Sequence, residues 1–270
     1  AAAVQVSPVM ENAGLEQYKA AFERVNKTED AQIVVCDSTD QTVQQALRDS
    51  VQAASAARRE RIAVVGGAAG EAVSALVERA EALNSERVVL VGPSADGVAG
   101  ILAAAAAAGA IAAESDPAVP LSGAVLQGIS VLDEQYTDQE IDLLVRGGVT
   151  PVECVGGVVS VVRGITTRTK TGDAADTTWR ELSTILIVDD VIPAVRNGLR
   201  RKFQRAKNTA QTRGAIRSQV ILELENKKSR EIITEYGEVT VEAMEDTPTA
   251  CLVEFSFGKR SYRFMYHKSC

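Results

Sequence analysis

The chain has 270 residues, 46% hydrophobic but only 4% aromatic, with a net charge of −7 and a pI near 5.0. That length fits one large domain or two modest ones at roughly 100–200 residues each, with a core built from Ala, Val, Ile and Leu and an α/β lean. The acidic balance argues against a whole face given to duplex nucleic acid or acidic lipid.

Cys36, Cys154, Cys251 and Cys270 are far apart and form no C-x-x-C pair, so they read as free thiols in a reducing compartment. His267 is the only histidine and lacks ligand-spaced partners, which speaks against zinc. The longest apolar stretch, Ile101 to Ala113, is shorter than the roughly 20 residues that span a bilayer. No basic segment precedes an apolar one, so no signal peptide is expected. The opening Ala1-Ala2-Ala3 reads as a trimmed start.

In chain order, the first 28 residues carry little strand pattern. Ala31 to Asp37 is a short apolar run between turn formers and predicts a buried strand. Thr42 to Arg59 has helical spacing at Val43, Leu47, Val51 and Ala54. A strand at Arg61 to Val65, a glycine-rich turn at Gly66 to Gly70 and a helix at Glu71 to Leu83 follow. Arg87 to Val91 predicts a third strand and Ser94 to Ala113 an alanine-rich helix suited to close packing. This alternation predicts a mostly parallel sheet with helices on its faces.

Pro117 and Pro120 interrupt the pattern. Thr137 to Glu140 is a capping box for a helix that Gly147-Gly148 ends. Val152 to Val155 and Val158 to Arg163 predict a hairpin around Gly156-Gly157. The polar, threonine-rich stretch Thr166 to Thr178 reads as an exposed linker. Beyond Trp179, the stripe Leu182, Ile185, Val188, Ile192, Val195, Leu199 and Phe203 predicts one long helix interrupted by Pro193. A short strand at Thr184 to Val188 is the alternative. A second helix is expected around Ile216, Val220 and Leu224, then strands at Ile232-Ile233, Val239 to Val241 and Cys251 to Phe257. Tyr262, Phe264 and Tyr266 alternate with Arg263, Met265 and His267, which puts three aromatics on one face of a terminal strand.

The motif that invites a chemical reading is Val64-Val65-Gly66-Gly67-Ala68-Ala69-Gly70. A dinucleotide fingerprint aligned on Gly67 and Gly70 needs a third glycine where Val65 stands, and an acidic residue after the next strand, which ends Val91-Gly92-Pro93. A nucleotide-binding α/β enzyme using Gly66 to Gly70 is therefore the rival reading, short of two required features. Asp189-Asp190 resembles a magnesium-holding pair, but adjacent helical residues point about 100° apart. A solvated or partner-facing helix side is the plainer expectation. One histidine leaves a His-based triad without support, so no catalytic, cofactor or metal residue is assigned.

Charge is more informative. From Arg196 to Arg213 there are seven basic residues and no acidic one, which leaves 22 basic against 36 acidic elsewhere, a net of −14. Spacing places Arg196, Arg200 and Arg205 near one helix face. No aromatics interleave for base stacking, so an acidic protein partner ranks ahead of a solvated face, and both ahead of nucleic acid.

Several segments, in order, resemble contractile phage tail sheath proteins, a family also found in phage-derived bacteriocin and secretion devices. They are Ala112 to Leu121, Leu143-Leu144 with Gly148 to Pro151, Val162 to Arg168, Trp179 to Ile185 with Asp189-Asp190-Val191, Lys207-Asn208-Thr209 and Ile216 to Val220. The likeness covers roughly residues 30 to 258.

The resemblance implies a structural subunit rather than an enzyme, with no cofactor. Its partners would be copies of itself in stacked rings or a helix, the tail tube protein, and baseplate and tail terminator proteins, with no nucleic acid and no membrane insertion. Its place would be the virion tail sheath, assembled in the bacterial host cytoplasm, where contraction drives the tube through a target envelope. The layout it implies is an arm remnant at 1–28, an α/β outer domain at 29–168, a linker at 169–178 and an α+β inner assembly domain at 179–270. Arg196, Arg200, Arg201, Lys202, Arg205 and Lys207 would face the tube. Tyr262, Phe264 and Tyr266 would lie on a strand that pairs with a neighbouring subunit, the alternative being an ordinary edge strand. Full-length members carry an amino-terminal arm, and often outer domains, before this region.

Overall fold

The computed structural model describes residues 3–247, 249–258 and 260–267, with the backbone alone at 260, 261 and 263–267. It divides into two compact units, residues 1–115 with 119–185, and residues 116–118 with 186–270. The division falls inside a helix.

The first unit is built on three apolar runs, β1 (Ile33–Val35), β2 (Ile62–Gly66) and β3 (Val88–Gly92), which pair in parallel. Every residue of β2 and β3 is buried, as expected of strands covered on both faces. β4 (Val149–Val155) continues the parallel ladder, and β5 (Val158–Val161) returns antiparallel, giving the order β1-β2-β3-β4-β5. Gly156 and Gly157 make the return with φ of 60° and 81°, angles that side chains resist at both corners of a two-residue hairpin.

One face of the sheet is covered by α2 (Gln41–Ala56), α3 (Val73–Leu83) and α5 (Asp138–Arg146). There Leu47, Val51, Leu76, Leu83 and Leu144 pack on Ala63, Val65, Val88 and Leu90. α4 (Ile101–Ala113) lies against β1, β2 and β3 with Ala103, Ala104 and Ala107 fully buried. The alanine run is thus a packing device.

Two expectations change. The helix read from Ser94 starts only at Ile101. Asp96 and Gly97 take positive φ in a turn whose Asp96 carboxylate accepts from Ser130 N and Val131 N at 3.1 and 2.9 Å. The opening segment, expected to carry little strand pattern, holds no strand among its described residues but a helix, α1 (Leu15–Asn26), whose Ala21 and Phe22 are buried against α2. The stretch from Thr166 is exposed only from Lys170 onward, and within that part Asp176 is buried. Thr166 and Thr167 are fully buried, Thr167 N donates to Val88 O at 2.9 Å, and Asn84 Oδ1 accepts from Thr169 N and Lys170 N at 3.1 Å each. Threonine hydroxyls satisfied by backbone read as solvent-facing in a sequence, which hides this docking. The exposed tip is the small hairpin β6 (Lys170–Thr171) and β7 (Ala174–Ala175).

The second unit contains the long helix α6 (Leu182–Phe203) from Leu186 onward, with Pro193 inside it, and α7 (Ala210–Ser229). Helix, not the alternative strand, holds at 184–188, and Val191 rather than Ile192 is buried in its stripe. Ile232 and Ile233 are buried but irregular. β8 (Thr240–Ala243), β9 (Ala250–Phe257) and β10 (Arg260–His267) form an antiparallel sheet in the order β10-β9-β8.

Helix α2 starts on Asp40, whose carboxylate accepts from Thr42 N at 2.7 Å and Val43 N at 3.3 Å. The bonds to Thr42 hold its pKa below the ordinary 3.8. A lowered folded-state value means a contribution present above that ordinary value and lost as pH falls through the lowered one. Asp40→Ala should therefore cost about 1 kcal/mol at neutral pH. In thermal unfolding the gap to wild type should shrink below the ordinary aspartate value; a gap constant with pH would remove the charge from the cap's effect.

Candidate functional site

The glycine turn at the end of β2 is filled by its own chain. A Cβ on Gly66 would sit 2.2 Å from Gly100 O, and one on Gly100 would sit 2.6 Å from Gly66 Cα. Gly100 N donates to Gly67 O at 2.9 Å. The glycines let two backbones meet, so no ligand is needed to explain them.

Several polar groups around the turn are paired within the unit. Ala68 N donates to Glu71 Oε2 at 2.6 Å, so a carboxylate takes a backbone donor that a phosphate would otherwise take. Arg79 grips Glu71 through Nε and Nη2 at 3.0–3.2 Å, and its Nη1 donates to Thr39 O at 2.7 Å. Gln44 Nε2 donates to Gly66 O at 2.9 Å and Ser38 O at 3.1 Å. Strand order adds a topological reason. Ligand crevices in open parallel sheets form where the order reverses, and β1 to β4 run in sequence without reversal.

Asp189-Asp190 resolves into an internal tie. Asp190 Oδ2 accepts from Lys227 Nζ on α7 at 2.6 Å, and Lys227 is only 8% exposed. Of the thiols, Cys36 is pushed up to about 11 by burial. Cys270 lies outside the described residues.

The basic stretch is less uniform than its spacing suggests. Arg196 is half-buried, while Arg200, Arg201 and Lys202 are exposed in the last turns of α6. The helix ends at Phe203, so Arg205 lies in the following turn and Lys207 in the loop before α7, neither on a helix face. Lys202 Nζ donates to Gln219 Oε1 on α7.

β10 is an edge strand of its sheet, paired with β9 so that Tyr262 faces Phe255, Phe264 faces Val253 and Tyr266 faces Cys251 in register. The Tyr262 ring stacks on Phe257 at 4.4 Å between centroids and lies 6.2 Å from Phe255. The side chains of Phe264 and Tyr266 lie outside the described residues.

Fold and site together define a two-part α/β and α+β chain whose nucleotide-like turn serves packing. The family model described as the phage tail sheath protein central domain matches residues 11–167, and that of the phage tail sheath C-terminal domain matches residues 174–258. The chain belongs to the phage tail sheath protein family.

The tail sheath protein of Bacillus phage SP01 is 30% identical over 195 residues, covering 68% of this chain and 34% of that protein. The crystal structure of a sheath tail protein from Desulfitobacterium hafniense superposes with a TM-score of 0.73 at 15% identity, over 96% of this chain and 61% of the other. The helical sheath of the anti-feeding prophage in its contracted state gives 0.65 at 13% identity, over 97% and 73%. The chain thus spans about a third of the curated relative's length and about three fifths of the Desulfitobacterium protein.

Gly100→Ala should cost on the order of 3 kcal/mol, because the atoms it meets are backbone and cannot swing away. Thermal unfolding of the first unit should shift down by roughly 6–12 °C. An unchanged midpoint would mean that the two backbones do not meet this closely.

Proposed function

We propose that this chain is a structural subunit of a contractile tail sheath, polymerising as rings or a helix around a tail tube and contracting to drive the tube through a target envelope. The observation that carries the reading is the match of both sheath domain models, in order, across nearly the whole chain. The internal filling of the Gly66 turn supports it, since the rival nucleotide reading rested on that turn alone. In this reading the protein is not an enzyme and uses no cofactor. Besides the tube, its partners are baseplate and tail terminator proteins, and it assembles in the host cytoplasm into the virion tail.

Residues 29–168 take the outer role and residues 179–270 the inner assembly role, with 169–178 between them. The exposed Arg200, Arg201, Arg205 and Lys207, together with Arg196 and Lys202, face an acidic tube surface. Exposed charge contacts are worth about 0–1 kcal/mol each, so such a surface holds by number and releases without a large barrier. β10, carrying Tyr262, Phe264 and Tyr266, supplies the edge to which a neighbouring subunit's backbone adds.

Negative-stain electron microscopy of the protein expressed with its natural upstream segment should show hollow tubes or stacked rings, alone or once purified tube is added. Monodisperse particles under both conditions would overturn the sheath reading. Replacing Arg200, Arg201 and Arg205 together by Glu should abolish co-sedimentation with the tube while leaving the thermal unfolding midpoint within a few degrees of wild type, as expected for surface positions. Undiminished co-sedimentation would remove the basic stretch from the tube contact.

A further inference from the structure

We propose that α1, with the chain leading into it, is a strap that opens as a unit of its own, and that Arg61 is its latch. Arg61 precedes β2 and is 1% exposed, a cation inside the unit. Its Nη1 donates to Val25 O at 3.2 Å and Asn26 Oδ1 at 3.3 Å, and its Nη2 to Thr28 O at 3.1 Å. All three acceptors belong to the last turn and exit of α1. The remaining bond, from Nε to Arg59 O at 3.3 Å, is to its own neighbourhood. Arg59 Nη1 in turn donates to Asn26 O at 2.5 Å. Two guanidinium groups therefore close the negative end of α1, where unsatisfied carbonyls favour cations.

The chain before α1 travels with it. Arg24 donates to Ser7 Oγ at 3.3 Å and Pro8 O at 3.1 Å, and Thr28 Oγ1 donates to Gln5 Oε1 at 3.1 Å. Residues 5 to 8 are thus tied to α1 and its exit, beside the Arg61 latch.

The apolar hold on α1 is lighter than that on α2. It buries Ala21 and Phe22 and packs Leu15, Tyr18 and Val25 half-buried against the same core, whereas α2 buries Val43, Leu47, Val51 and Ala54 along with Gln44. Its polar ties outside the latch are Tyr18 OH to Asp37 Oδ1 at 2.9 Å and Asn26 Nδ2 to Ser50 Oγ at 2.8 Å. Release hydrates Arg61 rather than stranding it, because its acceptors leave with the strap. A twelve-residue helix is marginal on its own, so the released strap unfolds while the sheet stays intact. An arginine bonded this way acts as a positioning residue for α1.

Hydrogen exchange on the full chain tests the latch. In Arg61→Ala, amides of residues 15–28 should exchange about 10- to 100-fold faster than in wild type, the loss expected for charged hydrogen bonds. Those of β2 and β3 should be unchanged. Arg61→Lys should fall between, since one ammonium cannot reach all the carbonyls that a forked guanidinium does. Unchanged exchange in α1, or acceleration of α1, β2 and β3 by one common factor, would overturn the proposal. Should Arg61→Ala not accumulate in soluble form, Arg61→Lys and Asn26→Ala decide it. Acceleration confined to residues 15–28 supports the latch, and an even or absent effect removes it.

Discussion

The first unit depends on two backbones meeting where no side chain fits, at Gly66 and Gly100. Gly66 ends a central strand and Gly100 precedes α4, so their contact sets how closely that helix approaches the sheet. At that distance only small side chains fit beneath it, and Ala103, Ala104 and Ala107 occupy the space with no exposure. A larger residue would lift the helix and leave unfilled volume, which close-packed interiors do not tolerate cheaply. The opposite face carries leucines because the separation there is set by side chains, with Leu47, Leu76, Leu83 and Leu144 filling it. One pair of glycines thus divides the unit into a thin alanine layer and a thick leucine layer.

This contact also explains why the most suggestive motif misleads. A strand, a glycine-rich turn and a helix are common to phosphate cradles and to tight packing. What separates them is who takes the free backbone donors. Here Glu71 takes the Ala68 N–H and Arg79 pairs with Glu71, so the carboxylate that occupies the turn is itself balanced within the unit. Nothing in the local sequence shows that Gly100, more than thirty positions away, is the group the glycines admit.

Legibility followed the range of the causes. Apolar runs bounded by turn formers predicted β1 to β3, the capping box at Thr137 predicted α5, and Gly156-Gly157 predicted the return to β5, because each is fixed by neighbours in sequence. The late start of α4 has a local sign in Asp96-Gly97, a turn signal that the alanine pattern following it obscures. The burial of Thr167 goes with bonds to Ser85 and Val88, some eighty positions earlier, and Thr166 is bonded to Trp179 O and Arg180 O, so neither carries a sign in its own neighbours. At the basic stretch, composition showed the charge but not the helix end at Phe203, which moves Arg205 and Lys207 off the helix. Nor did it show that Lys202 is tied to Gln219.

Within the second unit the two helices are fastened by two polar links in antiparallel order, Asp190 with Lys227 and Lys202 with Gln219, and between these Gly198 leaves room for the Glu223 side chain. Val191, Val195 and Leu199 on α6, and Ile216, Val220 and Leu224 on α7, are buried. The adjoining sheet has edges of unequal character. β8 is four residues long with Glu242 exposed on it and Glu245 and Asp246 just beyond, the kind of short, charged edge that resists strand addition. β10 is eight residues long and held to β9 by a full ladder and by the stacking of Tyr262 on Phe257. A long edge fixed in register is the better template for an added strand, because each backbone pair formed adds to a geometry already set. In the proposed sheath this asymmetry gives each subunit one edge suited to receiving a neighbour's strand. The lasting connection then rests on backbone pairing, while the contacts that must be released are left to surface charge.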